Sequence, residues 1–340
     1  MVQNGKPTIN DVARLADVSK KTVSRVINKS SLLSYKTRKH VEAVIEEIGF
    51  VPNPQARALA LRRNFIIAAV HDNPNAQFLV NVQQGILEAL EGTSFGLMVQ
   101  PVNRNSPSIQ QDLRDFLERQ RPYGVVLLPP ISEDDGLANV CREFGARYVR
   151  MASAEIDKPE QLVMSNDREA VRQAVKYITE RGHKRIALIE GRRNSRSALE
   201  RRKGYEDALE EAGLEVVPDL IEQGRYSYES GVEAALKLLE KPSPPTAIFA
   251  SNDEMAIGVL IAARSKGIDV PSGLSIVGFD DTPMSSHVWP ALTTVRWPIA
   301  EMGRIAALKL MMQPDDPPMQ ESLFPSELIK RDSVGPPADD

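Results

Sequence analysis

Apolar residues near the start of the chain recur at helical spacing and predict three short helices. The first has a narrow apolar face made of Ile9, Val12, Ala13 and Ala16. Thr8 and Asp11 are placed to cap its start, and Ser19 is placed to cap a second helix from Lys20 to about Asn28. A third helix begins near Ser34 and stops at Gly49. Because so few residues separate the first two helices, they must cross steeply, as in a helix-turn-helix.

The outward face of the second helix is polar and basic. It carries Lys20, Lys21, Thr22, Ser24 and Arg25. In a major groove, Lys and Arg reach guanine O6 and N7 while hydroxyls bind phosphate. The alternative is a charged, solvent-exposed face on a small helical bundle.

From residue 65 onward, short apolar runs alternate with amphipathic segments. The runs are 66–70, 97–99, 125–128, 186–189, 248–249 and 276–277. The amphipathic segments are 79–90, 109–119, 169–181, 197–211, 228–239 and 255–266. Repeated βα units of this kind predict a doubly wound α/β architecture with buried parallel strands, which binds ligands at the carboxyl ends of its strands.

Charge is distributed unevenly between these two parts. Residues 1–63 hold 12 Lys and Arg against 5 Asp and Glu, a net charge of +7. The rest of the chain holds 30 against 41, a net charge of −11. A basic N-terminal module on an acidic body predicts a polyanionic partner for the module only.

Motifs for catalysis and for cofactors are missing from the sequence. It has no Gly-rich dinucleotide or phosphate loop, no nucleophile elbow, and no zinc-ligand spacing among its four His. His183 lies between a helix and a strand, where a structural turn role is expected. We therefore expect no enzyme activity, no cofactor and no metal. The single cysteine, Cys141, excludes an intramolecular disulfide, and with no signal peptide or membrane span we expect a cytoplasmic protein.

The first 60 residues contain four specific motifs: PTINDVARLADVS at 7–19, KTVSRVIN at 21–28, IGFVPN at 48–53 and ARALA at 56–60. Together they resemble the corresponding motifs of the LacI/GalR family of bacterial regulators. The resemblance implies that Lys20, Lys21 and Arg25 read base edges, while Ser19, Thr22 and Ser24 contact the DNA backbone. Thr8 and Asn28 are further candidate DNA-binding residues in these runs.

The segment after the third helix is rich in helix formers but too short to be a stable helix in water. The family has paired hinge helices in the minor groove at this place. Leu59 matches the leucine that wedges between base pairs, and Arg57 would lie beside the groove. The alternative is a simple linker. We expect a helix-turn-helix domain over 1–50, a hinge over 51–64 and an effector-binding core over 65–338.

The resemblance continues along the core. It rests on GHKRIALI at 182–189, RxxGY at 201–205, SNDxMA at 251–256, VGFDDT at 277–282 and LTTV at 292–295. It implies a two-lobed α/β fold like that of periplasmic sugar-binding proteins, with three crossing strands and the effector between the lobes. We expect the first lobe over 65–163 and 293–324, and the second over 164–292 and 325–338.

Sugar recognition needs polar groups that pair with hydroxyls and aromatic faces that cover C–H patches. By resemblance, the second lobe supplies Arg201, Asn252, Asp280 and an aromatic platform at Tyr226. Further candidates are Asp72, Asn73 and Phe78 after the first strand, and Trp297 on a crossover. For each of these four, a core or surface role is as compatible with the sequence as contact with the ligand.

Arg150 lies where many relatives have an aspartate facing the cleft, and Arg192, Arg193 and Arg196 follow a later strand. A guanidinium in place of a carboxylate favours an anionic ligand, so a sugar phosphate or sugar acid is one hypothesis. The alternative is that Arg150 pairs with Asp72 or Asp280 and the ligand is a neutral sugar.

A helix-turn-helix of this type reads half a site, so we expect a homodimer on a near-palindromic operator. The resemblance implies a repressor of carbohydrate-utilisation genes, and leaves open whether the effector is an inducer or a corepressor. A periplasmic-type sugar-binding protein is the rival interpretation, but it needs a signal peptide and has no use for residues 1–63. A Rossmann-class enzyme would need the motifs that are missing.

Overall fold

The computed structural model describes residues 7–27, 33–51, 64–73, 75–193, 195–313, 316–317, 319 and 321–338. The chain divides into two compact units, Met1–Phe65 and Ile66–Asp340. Among the described helices, none is both long enough and apolar enough to cross a bilayer.

The first unit is a three-helix domain. Its helices are α1 (Ile9–Leu15), α2 (Lys20–Ile27) and α3 (Tyr35–Glu47). The Asp11 carboxylate accepts hydrogen bonds from the backbone N–H and the hydroxyl of Thr8, at 3.0 and 2.7 Å. Ser19 Oγ accepts from the N–H of Thr22, so both predicted caps form. The apolar faces meet in a small core of Val12, Ala13, Ala16, Val23, Val26, Val41 and Val44.

The second unit alternates strands and helices, as the repeated βα pattern predicts. Its strands are β1 (Ile66–His71), β2 (Gly96–Pro101), β3 (Gly124–Leu127), β4 (Arg147–Ala152), β5 (Leu162–Ser165), β6 (Ile186–Glu190), β7 (Ile221–Gln223), β8 (Ala247–Ala250), β9 (Ser275–Asp280), β10 (Thr293–Arg296), β11 (Leu323–Phe324) and β12 (Glu327–Ile329). Its helices are α4 (Ala76–Leu90), α5 (Ile109–Gln120), α6 (Asp135–Glu143), α7 (Asp167–Thr179), α8 (Arg196–Glu211), α9 (Tyr228–Leu239), α10 (Asp253–Ser265), α11 (Pro283–His287) and α12 (Ile299–Met311).

The strands form two sheets, one for each lobe. The first has the order β11-β5-β4-β3-β1-β2 and the second β12-β10-β9-β8-β6-β7. Pairing is parallel throughout, apart from β12, which runs antiparallel to β10. The chain passes between the lobes after β5, after β10 and after β11. The predicted two-lobed architecture with three crossings is therefore confirmed.

Helix α12 brings the late part of the chain back to the first lobe, where it packs on α4. Gly85 of α4 lies so close to the backbone of Ala300 that a Cβ would be 1.7 Å from its carbonyl oxygen. Gly303 faces the backbone of Val82 in the same way, with 2.7 Å to its carbonyl oxygen. The contact therefore requires glycine at both positions. It seals the core of the first lobe, to which Met302, Ile305 and Leu310 contribute.

Three details of the expected organisation are wrong. The expected boundary puts residues 293–324 in the first lobe, but β10 pairs in register with β9 of the second sheet, with Thr293 beside Val277. The crossing therefore comes after Arg296. Strand β5 extends the first lobe to Ser165, beyond the predicted residue 163. Finally, β2 is an edge strand with Val99 exposed, so its apolar run does not mark a fully buried strand.

Candidate functional site

The first unit presents the predicted DNA-binding face as an accessible surface. Ser19, Lys20 and Lys21 are exposed at the start of α2. Thr22, Ser24 and Arg25 are half-buried, and Thr8 is exposed at the start of α1. The opposite side of α2 is anchored in the domain core, as a helix that enters a groove requires. Of the other candidates, Asn28, Arg57 and Leu59 lie outside the described residues.

In the second unit a cavity of about 290 Å³ lies between the lobes, at the carboxyl ends of the strands. Of the candidate effector residues, those that line it are Asn73, Phe78, Arg201, Tyr226, Asn252, Asp280 and Trp297. The remaining lining residues are Asn75, Arg104, Pro129, Pro130, Arg192, Ser195, Ser197, Arg225, Ser227 and Glu254. Both lobes contribute, so a ligand here contacts both of them.

Arg201 forms the charged floor of this cavity. Its Nε donates to the carboxylate of Asp167 at 2.8 Å, and its Nη1 donates to the carbonyl of Ser251. The guanidinium carbon lies 3.5 Å from the ring centroid of Phe279, a cation–π contact. Arg201 and Asp167 are 3% and 0% exposed, so they are a desolvated ion pair held in one orientation.

Asp280 enters the cavity from a strained turn at the end of β9. Asp280 has φ of 122° and Asp281 has φ of 53°, a region that side chains other than glycine rarely adopt. The turn is held by Asp281, whose carboxylate accepts from Arg296 at 2.7 Å and from Arg331 at 2.6 Å. Burial raises the pKa of Asp280 well above its usual value, although Arg201 opposes this. Burial therefore disfavours the charged form of this carboxyl.

Asn252 holds two neighbouring backbone segments in place and also lines the cavity. Its Oδ1 accepts from the N–H of Met255 and caps α10, while its Nδ2 donates to the carbonyl of Tyr226 at 3.3 Å. Tyr226 itself adopts φ of 62°. An amide has two donor hydrogens and two lone pairs, so one of each is left for a ligand. Asn252 thus orients the Tyr226 turn while it lines the cavity.

The aromatic wall is shared by the two lobes. Phe78 stacks on Trp297, with 5.4 Å between ring centroids, and Trp297 meets Phe279 edge to face at 6.2 Å. Phe78 belongs to the first lobe, Phe279 to the second, and Trp297 to the crossing between them. Because its neighbours belong to both lobes, the Trp297 indole packs against both of them at once. Among the described residues, no hydrogen-bond partner is found for its buried Nε1.

The prediction that Arg150 faces the cleft is wrong. Its side chain is 0% exposed and does not line the cavity. Its Nε donates to the carbonyl of Ser132 at 2.6 Å, and its Nη1 forms ion pairs with Asp135 and Asp157 at 2.8 and 3.4 Å. Neither Asp72 nor Asp280, the partners we considered, is involved. The segments after β3 and β4 compensate the buried charge and supply acceptors to Nε and Nη1, whereas Nη2 has no hydrogen-bond partner among the described residues.

Asp72 does not line the cavity either. Its carboxylate accepts from the backbone N–H of Arg104 at 3.2 Å and pairs with the Arg104 side chain at 3.1 Å. Arg104 does line the cavity. Asp72 therefore acts on the site through Arg104, which the sequence analysis missed.

The other missed residues follow strands or begin helices. Arg225 and Ser227 come after β7, a strand of three residues that periodicity did not indicate. Asn75 caps α4 by accepting from the N–H of Phe78, a position that an N-cap search around Phe78 would have found. His183, by contrast, has the structural role we expected, with hydrogen bonds to Thr246 and to the carbonyl of Gly335.

Comparisons with known proteins agree with this division of the chain. Residues 8–53 match the family model for bacterial regulatory proteins of the lacI family, and residues 175–334 match a periplasmic binding protein-like domain. A probable HTH-type transcriptional repressor, ExuR of Bacillus subtilis, is 31% identical over 96% of this chain and 98% of its own length. The HTH-type transcriptional regulator DegA of Bacillus subtilis is 35% identical over 97% of this chain and 99% of its own.

Among the solved structures that match almost the whole chain are a sugar complex and an operator complex. The transcriptional regulator CelR in complex with cellobiose is 32% identical, with a TM-score of 0.72 over 96% of this chain and 99% of that one. The lac repressor dimer bound to operator and the anti-inducer ONPF is 26% identical, with a TM-score of 0.77 over 97% and 100%. The relatives are named as transcriptional regulators, in keeping with the conclusion that this chain is not an enzyme.

Proposed function

Since this chain belongs to the LacI family of bacterial transcription regulators, we propose that it represses carbohydrate-utilisation genes from a near-palindromic operator under control of a sugar effector. The observation that carries the proposal is the cavity between the lobes, lined by both polar and aromatic side chains. A ligand that contacts both lobes can favour one arrangement of them. It shifts DNA affinity by its differential binding to the two arrangements.

The size and lining of the cavity support a small carbohydrate. Its volume of about 290 Å³ is near the lower end of the range for ligand pockets, ~300–1,000 Å³. Asn73, Asn252 and Asp280 offer hydrogen bonds to hydroxyls, and Phe78 and Trp297 offer apolar faces. The solved relative CelR holds cellobiose, a ligand of the same chemical class.

Arginines at the cavity support an anionic sugar, a sugar phosphate or a sugar acid. Besides Arg201, the lining includes Arg104, Arg192 and Arg225. Arg104 and Arg225 pair with carboxylates, whereas Arg192 forms no ion pair among the described residues. Burial raises the pKa of Asp280 and so disfavours a negative charge that would oppose such a ligand. This support is independent of Arg150, which does not line the cavity.

Exposed apolar side chains on the second unit support a homodimer. Trp289 is 86% exposed and Met284 is 53% exposed, close together in sequence around α11. Exposed aromatic and Met side chains are typical of protein interfaces. A two-fold dimer would place two helix-turn-helix domains on two half-sites, and the related lac repressor structure is a dimer on its operator.

The test of this function is selection of bound fragments from random duplex DNA by the full chain. We expect a near-palindromic motif, and we expect its occupancy to change when one member of a panel of neutral sugars, sugar phosphates and sugar acids is added. The sign of that change distinguishes an inducer from a corepressor. Enrichment of no motif under any condition would contradict operator binding. A motif whose occupancy responds to none of the panel would contradict the carbohydrate effector.

Calorimetry with three probes tests the charge of the effector. D-glucose, D-glucose 6-phosphate and D-glucuronate are titrated into the wild type, Arg192→Ala and Arg119→Ala. Arg119 is exposed on α5 and does not line the cavity, so its variant is a matched control for loss of one charge. We expect an anionic probe to bind most tightly and to lose about tenfold or more in affinity only in Arg192→Ala. Tighter binding of D-glucose than of either anionic probe would overturn the hypothesis that the effector is an anionic sugar.

A further inference from the structure

Two polar contacts beside the cavity connect the first lobe to the second. In the turn after β3, the Glu133 carboxylate accepts from the N–H groups of Arg196 and Ser197, at 2.8 and 3.3 Å. On another side of the cavity, Asn75 Nδ2 donates to the Glu254 carboxylate at 3.3 Å. We call these the Glu133 contact and the Asn75 contact.

The Glu133 contact supplies an acceptor that α8 lacks within its own lobe. Arg196 and Ser197 are the first residues of α8, and their N–H groups have no partner inside the helix. Ser195 is in the N-cap position, but its side chain makes no capping hydrogen bond; its hydroxyl lies 2.6 Å from that of Ser197. A carboxylate at a helix N-terminus also interacts favourably with the helix dipole. The second lobe therefore obtains its helix cap from the first.

Both contacts involve elements that carry the cavity walls. Helix α8, whose start Glu133 caps, holds Arg201 in the cavity floor, one and a half turns further on. Asn75 caps α4 next to Phe78, and Glu254 belongs to the first turn of α10 beside Asn252. Motion of one lobe away from the other would break both contacts and would separate Phe78 from Arg201.

We propose that Glu133 is a positioning residue of the effector site: by capping α8 from the opposite lobe, it holds the lobes closed. The Asn75 contact has the same effect beside the cavity. Glu133 need not touch the effector. It lies beside a neighbouring opening lined also by Arg104, Arg192 and Arg193. The assignment of Glu133 to an effector site rests on the proposed function, because only that function identifies the cavity as the effector site. The role of Glu133 in lobe closure does not depend on it.

Trp297 makes lobe closure measurable without effector or DNA. The protein has two tryptophans, and Trp289→Phe removes the exposed one. The emission that remains comes from Trp297, which packs between Phe78 and Phe279. Quenching of this emission by acrylamide then reports access to the space between the lobes.

In this background we compare Glu133→Ala, Asn75→Asp, the double variant and Glu118→Ala. Asn75→Asp keeps the acceptor that caps α4, but replaces the donor to Glu254 with a like charge. Glu118 is exposed on α5 and is the matched control. We expect the quenching constant to rise at least twofold in each contact variant and further in the double variant, and to stay unchanged in the control. Unchanged quenching in Glu133→Ala would overturn the proposal.

Amide hydrogen exchange provides a second measurement that a general loss of stability would not reproduce. We expect faster exchange in Glu133→Ala at the amides of Arg196 and Ser197, with no change in the core strand β8. Faster exchange throughout the chain would overturn a specific role in closure, as global unfolding would then explain both results. Because neither measurement uses a ligand, a failure of the effector assignment with D-glucose 6-phosphate or D-glucuronate is recognised separately.

Discussion

Arg201 and Asp167 form an ion pair that is almost fully removed from water, with 2.8 Å between Nε and the carboxylate, at the floor of the cavity. Such a pair is not in itself a strong source of stability, because desolvation of both charges offsets their attraction. Removal of one partner is different, because it leaves the other charged and buried. This asymmetry makes the pair a sensitive probe of both fold and site.

Arg201→Ala should therefore destabilise the second unit and abolish effector binding together. We expect the free energy of unfolding to fall by ~3–5 kcal/mol, because Asp167 is left uncompensated. Urea denaturation and calorimetry with the tightest of the three probes measure the two effects. Arg202→Ala, next in sequence and 40% exposed, is the control and should change neither by much. Wild-type affinity in Arg201→Ala would exclude Arg201 from the effector site.

The start of α2 should determine operator affinity. Lys21→Ala removes an exposed cation from the first turn of the proposed recognition helix, and we expect operator affinity to fall about ten- to hundredfold. Electrophoretic mobility shift or fluorescence anisotropy with the selected operator checks this. Lys39→Ala removes the same charge from α3, where Lys39 is exposed and its ammonium lies 5.9 Å from the ring of Tyr35. An equal loss in both variants would indicate only a general effect of net charge.

Trp289 should belong to the dimer interface. Trp289→Asp places a charge where the structure exposes a large aromatic ring, and burial of an unpaired charge in an interface is unfavourable. We expect sedimentation equilibrium to show a dimer for the wild type and a shift towards monomer for this variant. Phe144→Asp, at another exposed aromatic on the first lobe, is the comparison and should remain dimeric. A dimeric Trp289→Asp protein would place the interface elsewhere.

Stability should fall as the pH rises through the titration of Asp253. Burial raises the pKa of this carboxyl to about 6, and hydrogen bonds from Thr282 and Thr294 oppose the shift only partly. Because the pKa in the folded state is above its unfolded value, near 4, the contribution to stability is fully present below about pH 4. It is lost as the pH rises through about 6.

The isosteric variant Asp253→Asn isolates this effect because it does not titrate. Its Oδ1 can accept from Thr282, and its Nδ2 can donate to the hydroxyl of Thr294. We expect the free energy of unfolding of the wild type to fall, relative to that of the variant, between pH 4.5 and pH 7.5. Urea denaturation at both pH values measures it. A difference that is independent of pH would show that Asp253 ionises normally in the folded protein.

Prediction from sequence succeeded where the determining interactions are local. Helix α2 and the caps at Thr8 and Ser19 depend on residues three or four positions apart, so periodicity and capping rules indicate them directly. Short apolar runs likewise indicate the buried strands, because each run consists of neighbouring residues. Such a run does not indicate whether its strand lies at the edge of the sheet, as β2 does. Resemblance then supplied Arg201, Asn252 and Asp280, whose surrounding motifs are specific.

What only the tertiary structure decided is which distant groups meet. Arg150 has a sequence context compatible with a cleft residue, but the acceptors supplied by the segments after β3 and β4 bury it instead. Glu133 and Arg196 are 63 positions apart and belong to different lobes, and nothing in the composition of either segment indicates their hydrogen bond. The sequence by itself determined the elements, because backbone preference and side-chain periodicity act over a few residues. The cavity and its closure arise from long-range packing, in which each side chain takes the partners that its neighbours leave available.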